Sequence, residues 1–387
     1  MKDVTVALRK DISRLLAAGH PWVYRDALER FDAPPGAVVT VRDPRRKLVG
    51  RGVAERGPIG VRLWTTVDEP IDEAFVRRRV RDAIALRRRL APPNTTALRL
   101  LHGEGDRLGG AVCDVYDGVG VLRLDGAATE RWVDAIARAL IEEGRLDALL
   151  VKRGRRGDTS VEVIHGEVPD APIPVEEHGM RLLVDVHRGQ KTGLFLDHRE
   201  SRRWVRQAAE GMRVLNLYGY TGGFSIAAGL GGARAVETVD VADAALEFAR
   251  RSWAQNGLPP GQHETFTEDV PQFLERARAK RRTWDLIVSD PPSFAPKKEA
   301  RKAALRAYRA LHRSCLRMID DGGLYLAASC SSQIDREAFE KTLLDGAEKA
   351  KVVLQVLGRW GAAPDHPRVL AFPEGDYLKV VACRVSR

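Results

Sequence analysis

The pattern of apolar and polar positions changes character near Arg199. Before it, short apolar or alternating runs lie between Gly, Pro and Asp turns. GAVVTVRD, KLVGRGVAE and GPIGVRLWT read as strands, and DISRLLAAG (Asp11 to Gly19) as a helix stopped by Gly19. Ile71 to Leu90 predicts a helix broken by APPNTT. Two or three strands follow, then an amphipathic helix over Thr129 to Gly144 and strands at ALLVKRG and VEVIHGE. Beyond Arg199, short apolar strands (RVLNLYGY, AVETVD, HETFTED, WDLIVSD, GLYLAASC) alternate with helices over Gly223 to Leu230, Ala242 to Asn256, from Val270, and Lys298 to Met318. That alternation predicts a parallel sheet with crossover helices, and VVLQVLGRW and DYLKVVACRV add a closing pair of strands. The expected fold class is α/β: a β-rich domain over 1–70, an α+β middle domain over 71–187, and a doubly wound domain over 188–387. Ligands of such sheets sit beyond the carboxyl ends of the strands, so the residues that end each strand become the candidates.

A chain of 387 residues suits two or three cores. No apolar run approaches the roughly 20 residues that cross a bilayer, and the first residues lack the apolar block of a signal peptide. A cytoplasmic protein with no membrane partner is expected. The four cysteines (Cys113, Cys315, Cys330, Cys383) are scattered without a CxxC pair, which predicts neither a disulfide framework nor a metal site. Net charge is +10, and residues 1–66 carry thirteen Lys/Arg against seven Asp/Glu. That excess suits a phosphate-facing surface, although the clusters Arg77–Arg79 and Arg87–Arg89 fit a solvated helix face equally well.

Chemistry concentrates at the strand ends. VLNL runs into YGYTGGFS (Tyr218 to Ser225), where glycines let backbone approach a ligand and a helix N-terminus offers free N–H groups. The turn departs from GxGxxG, which disfavours a dinucleotide. Asp240 ends the next strand at the distance suited to a ribose diol, and Asp269 ends the third, either near an adenine amino group or as a helix cap. This order favours a nucleoside-bearing cofactor, with dinucleotide and S-adenosylmethionine as contenders. DLIVSDPPSF favours the second. Pro291 and Pro292 fix an extended turn that lets Asp290 face a planar base, and Phe294 offers a stacking surface. Cys330 ends the fifth strand, where a thiolate can attack carbon 6 of a pyrimidine and make carbon 5 nucleophilic. Strand position alone leaves a buried, inert thiol an even alternative.

VLNLYGYTGGFS, VDVADAALEFARRSWAQNGL, SDPPSFAPKK and AASCSS, in this order, resemble the motifs of class I S-adenosylmethionine-dependent methyltransferases. More narrowly, with GQKTGLFLDHRESR (Gly189 to Arg202), they resemble the bacterial 23S ribosomal RNA cytosine carbon-5 methyltransferase family. HPWVYRDALER (His20 to Arg30) is similar to part of that family's PUA-type RNA-binding domain. The resemblance implies a Rossmann-like methyltransferase domain using S-adenosyl-L-methionine and acting on ribosomal RNA. Asn216 and Tyr218, Gly219, Tyr220, Thr221, Gly222 and Gly223 would then hold the methionine part of the cofactor, Asp240 its ribose and Asp269 its adenine. Asp290, shared between cofactor and substrate, would hold the target base with Pro291, Pro292 and Phe294, and Cys330 would be the nucleophile. Lys191, Asp197 and Arg199 would lie near cofactor or RNA. Many RNA cytosine methyltransferases carry a second cysteine where Pro292 stands, which leaves the base for proton removal unassigned. Related Asp-Pro-Pro enzymes act on guanine without a cysteine. Methylation of guanine or an exocyclic nitrogen, a nicotinamide oxidoreductase and a non-catalytic RNA-binding protein therefore stand as alternatives. A homodimer is compatible with the sequence, though no segment argues for it.

Overall fold

The computed structural model describes residues 4–155 and 158–387. The chain forms two compact units. One comprises 1–175, 184–196 and 364–375; the other comprises 176–183, 197–363 and 376–387.

In the first unit, a five-stranded sheet runs in the order Val4–Ala7, Val38–Arg42, Leu48–Ala54, Ile59–Thr65, Trp22–Tyr24. Its inward positions, among them Val6, Val39, Val41 and Val61, are fully buried around the short helix Ser13–Ala17. A second five-stranded sheet runs Asp158–His165, Ala148–Arg155, Val119–Leu124, Ala111–Tyr116, Ala97–His102. The helices Glu73–Leu90 and Val133–Gly144 pack their apolar stripes on it. Asp72 caps the first of these by accepting the Phe75 N–H at 2.8 Å. Arg62 ties the two sheets together, donating to Glu55 and Asp125 at 3.1 Å each and contacting Glu104.

Part of the expected phosphate-facing charge is therefore spent internally. Arg87, expected on a solvated or RNA-facing stripe, is buried instead. Its guanidinium grips Asp106 through two bonds of 2.6 and 2.7 Å and donates to the Asp365 carbonyl at 2.9 Å. A buried guanidinium needs such complete pairing.

The second unit holds a seven-stranded sheet. Its strands are β1 (Arg213–Leu217), β2 (Ala235–Asp240), β3 (His263–Thr267), β4 (Trp284–Ser289), β5 (Ile319–Ser329), β6 (Val353–Trp360) and β7 (Lys379–Ser386). Their order is β3-β2-β1-β4-β5-β7-β6. The first five are parallel, and β7 is antiparallel to both β5 and β6. The helices are α1 (Arg199–Ala208), α2 (Gly223–Leu230), α3 (Asp243–Gln255), α4 (Val270–Ala279), α5 (Arg301–Leu316) and α6 (Arg336–Ala350). The central strands are apolar on both faces because helices cover both, and Leu215, Ile287, Tyr325 and Val381 lie in one continuous core. Strand order reverses between β1 and β4, which opens a crevice at their carboxyl ends. Among the described residues no helix is long and apolar enough to cross a membrane, and no cluster of three or more His, Cys, Asp or Glu could hold a metal ion.

Candidate active site

The loop leaving β1 is held in an uncommon conformation. Tyr218 and Tyr220 have φ of 58° and 47°, and Gly222 has φ of 78°. Bulky residues in the left-handed region cost about 1–2 kcal/mol each and persist only where their surroundings enforce them. The enforcement is visible. The Tyr220 N–H donates to Asp240 Oδ2 and the Ala242 N–H to Asp240 Oδ1, both at 2.9 Å, while the Gly219 N–H donates to the Val239 carbonyl at 3.0 Å. Asp240 is thus locked in place, and each of its oxygens keeps a further lone pair for a ligand hydroxyl.

Under the loop lies a buried polar chain. Asn216 Nδ2 donates to Ser225 Oγ at 2.9 Å, Ser225 Oγ meets Thr238 Oγ1 at 2.6 Å, and Thr238 Oγ1 meets His263 Nε2 at 2.8 Å. Burial, helped by Arg250, pushes the His263 imidazole down to about 4, so the ring is neutral here. This chain couples β1, α2, β2 and β3 below the crevice. Asn216 is 1% exposed, so it supports the loop from beneath. Gly219 fits because a Cβ there would lie 2.3 Å from Thr238 Cγ2.

Asp269 is exposed and caps α4, its Oδ1 facing the Gln272 N–H at 3.4 Å. Of the two sequence readings of this residue, the helix cap is the one the structure displays. Thr221 is half-buried beside Gly222. Gly222 starts α2 without a side-chain cap, leaving the first helical N–H groups for a ligand or water.

Across the crevice, β4 pairs Ser289 with Leu217 of β1, so Asp290 emerges beside the loop. Its carboxylate bonds His198 Nε2 at 3.1 Å. Burial opposes charge on that imidazole, but Asp290 together with Asp197 outweighs it, and the His198 pKa is raised above its ordinary value. His198 stands in the DHRESR stretch immediately before α1, in contact distance of the Ser201 hydroxyl at 3.3 Å. The only sequence signal for it is its place between Asp197 and Arg199 in the signature.

Pro291 is buried and Pro292 exposed. Phe294 is half-buried against Tyr308, with ring centroids 4.9 Å apart, so one part of its ring is already committed to packing. Cys330 follows β5 and is half-buried, whereas Cys113, Cys315 and Cys383 are buried. Its Sγ lies 3.9 Å from the Pro291 carbonyl oxygen, and Ser331 Oγ meets Ser293 Oγ at 3.2 Å. The Asp-Pro-Pro turn and the cysteine strand end are therefore adjacent.

The GQKTGLFLDHRESR stretch divides. Lys191 belongs to the first unit and is exposed, its ammonium 4.7 Å from the Phe195 ring centroid. Asp197 belongs to the second unit and accepts from Tyr377 Oη at 2.8 Å. Arg199, expected at cofactor or RNA, is buried inside the second unit, only 2% exposed. Arg202 is also buried, paired with Glu177 by bonds of 2.7 and 2.5 Å.

A doubly wound sheet with a glycine-bearing β1 loop, an anchored acid at the end of β2 and an Asp-Pro-Pro exit from β4 defines a nucleoside-cofactor enzyme of the methyltransferase class. Comparison with known proteins agrees. Residues 127–375 match the S-adenosylmethionine-dependent methyltransferase family model, and residues 6–66 match a PUA-like domain. The ribosomal RNA large subunit methyltransferase I of Erwinia tasmaniensis is 36% identical, with 99% of each chain covered. That of Salmonella arizonae is also 36% identical, over 98% of this chain and 97% of its own. Among solved structures, a SAM-dependent methyltransferase assignment from Streptococcus mutans superposes with a TM-score of 0.88 at 23% identity, covering 98% of this chain and 100% of that one. A methyltransferase complexed with SAH gives 0.88 at 24% identity, covering 99% and 100%. The chain belongs to the S-adenosylmethionine-dependent methyltransferase family.

Proposed function

We propose that this protein methylates carbon 5 of a cytosine in 23S ribosomal RNA through a cysteine adduct at carbon 6. The observation that supports this reading most is the 3.9 Å approach of Cys330 Sγ to the Pro291 carbonyl, which puts a half-exposed thiol beside the Asp-Pro-Pro turn. The names of the relatives supply the RNA, and the PUA-like match suits a domain that grips it.

S-adenosylmethionine fits the β1–β2 side of the crevice on the donor set. Asp240, held by two backbone N–H groups, accepts from the ribose diol. Asp269 accepts from the adenine amino group, and Tyr218 to Gly223 wrap the methionine part, with Asn216 bracing the loop from below. The cofactor supplies an electrophilic methyl group on a sulfonium centre, so positioning carries much of the catalysis.

On the other side, Asp290, oriented by His198, and the Pro291–Pro292 turn hold the flipped cytosine, with Phe294 against its plane. The Cys330 thiolate adds to carbon 6, and the electron pair of the carbon 5–carbon 6 double bond moves into the ring to make carbon 5 nucleophilic. After methyl transfer, loss of the carbon 5 proton to a base and departure of the thiolate restore the double bond. Lys191 and neighbouring basic residues of the first unit contribute salt-sensitive phosphate contacts.

The test is methyl transfer from labelled S-adenosylmethionine to unmodified 23S ribosomal RNA, followed by nucleoside mass spectrometry, with Cys330→Ala in parallel. The reading predicts 5-methylcytidine with wild type and none with the variant. Methylguanosine or an N-methylated base, or full activity in the variant, would favour the cysteine-independent alternative. RNA binding without transfer under any condition would favour a non-catalytic binder.

A further inference from the structure

A lysine is buried against the strand end that carries the proposed nucleophile. Lys379 opens β7, pairs with Ser329 across the β5–β7 ladder, and is 1% exposed. Its ammonium donates to the Ser331 carbonyl at 2.7 Å and to the Tyr377 carbonyl at 2.8 Å. Cys330 is the residue between its ladder partner and its carbonyl acceptor. A lysine is rarely buried so completely unless its charge has a purpose or a partner. Two carbonyls supply dipoles but no countercharge.

Tyr308, from α5, stands on the other side of the same strand end. Its hydroxyl contacts Ser329 Oγ at 2.8 Å and Ser331 Oγ at 3.1 Å. The residues on either side of Cys330 are therefore held, by Tyr308 through the Ser329 and Ser331 hydroxyls and by Lys379 through the Ser331 carbonyl.

We propose that Lys379 is a positioning residue for the cysteine chemistry: its buried ammonium holds Cys330 as a thiolate and fixes the strand end that carries it. This inference rests on the reading of Cys330 as nucleophile. The thiol proton leaves to solvent and Lys379 keeps its own, so no co-reactant is needed. Burial draws the lysine down to about 8, and Cys330 is the strongest electrostatic influence pulling it back up, ahead of Asp376. Such an attraction is mutual, which is what the proposal requires of the thiolate. The other charged groups acting on Lys379 are Asp335 and Arg336 at the start of α6, which oppose each other. On the cysteine side, Tyr308 feels both Cys330 and Asp290.

The experiment measures the rate of Cys330 alkylation by iodoacetamide against pH, read on its peptide by mass spectrometry, in the full-length protein. The three buried cysteines serve as internal controls. Wild type is expected to react with a midpoint below the ordinary thiol value of about 8.5. Lys379→Met is expected to raise that midpoint and slow alkylation at neutral pH roughly tenfold, while Lys379→Arg retains most of the wild-type behaviour. S-adenosylhomocysteine binding, measured by calorimetry, should be unchanged in both variants. A Lys379→Met protein that binds the cofactor product normally and keeps the wild-type midpoint overturns the inference. A wild-type midpoint at or above about 8.5 overturns it without reference to any variant. Methyl transfer by Cys330→Ala would instead remove the nucleophile reading, and a midpoint shift seen alongside it would leave only the ion pairing.

Discussion

Gly222 gives the sharpest stability prediction. It closes the β1 loop at φ 78°, and a Cβ there would lie 2.5 Å from Ala249 Cβ and 3.1 Å from Ala249 Cα. The second contact is with backbone, so no rotamer change in α3 relieves it. Gly222→Ala should cost about 1–2 kcal/mol for the left-handed conformation and about 1–3 kcal/mol for overpacking, roughly 2–5 kcal/mol together. Gly211 supplies the control within the same unit. It has φ of 70° and open space around its would-be Cβ, so Gly211→Ala should lose only the conformational part, about 1–2 kcal/mol. Urea unfolding followed by tryptophan fluorescence, with equal slopes required for the comparison, measures both. S-adenosylmethionine affinity should fall for Gly222→Ala and stay near wild type for Gly211→Ala. Equal stability losses in the two variants would refute the claim that the loop is packed against α3.

Three further predictions concern buried polar groups. Glu177→Gln removes the carboxylate charge paired directly with the buried Arg202 guanidinium and should cost about 3–5 kcal/mol, lowering the melting temperature on the order of 10 °C in a calorimetric scan. Thr238→Val keeps the shape but removes the hydroxyl linking Ser225 to His263. A loss of about 1–3 kcal/mol is expected in the same urea assay, with weaker S-adenosylmethionine binding by calorimetry. The His198 pKa is raised in the fold, so its pairing with Asp290 stabilises fully below the unfolded value of about 6.5 and fades as pH rises through the folded value. Wild type should therefore lose stability across that window relative to His198→Asn, which should be flatter. An NMR titration of the His198 ring should show a midpoint above about 6.5.

The doubly wound sheet was legible because its strands and helices alternate in hydrophobic period, and the strand ends then pointed to the crevice. The family resemblance tipped the even balance at Cys330, but Asp240, Asp290 and Cys330 were all placed at strand ends by that rule, as the structure has them. Lys379 was not, because in DYLKVVACRV it reads as one polar residue entering an apolar strand; only the β5–β7 register reveals what lies across from it. His198 was missed for a similar reason, since its partner Asp290 is far away in sequence. Arg87 looked like a surface cation because helical periodicity cannot distinguish an exposed arginine from one paired internally with Asp106. Likewise, nothing in the composition of 364–375 announces that it packs with the first unit, where Asp365 takes an Arg87 hydrogen bond.

The central claim is the covalent step, and trapping it is the most direct measurement. Ribosomal RNA containing 5-fluorocytidine has no carbon 5 proton to lose after methyl transfer, so the adduct persists. Incubation with S-adenosylmethionine, nuclease digestion and peptide mass spectrometry should then show a methylated nucleotide on Cys330 and none in Cys330→Ala. Methyl transfer to ordinary RNA with no adduct on the fluorinated RNA, or an adduct on any other residue, would contradict the account.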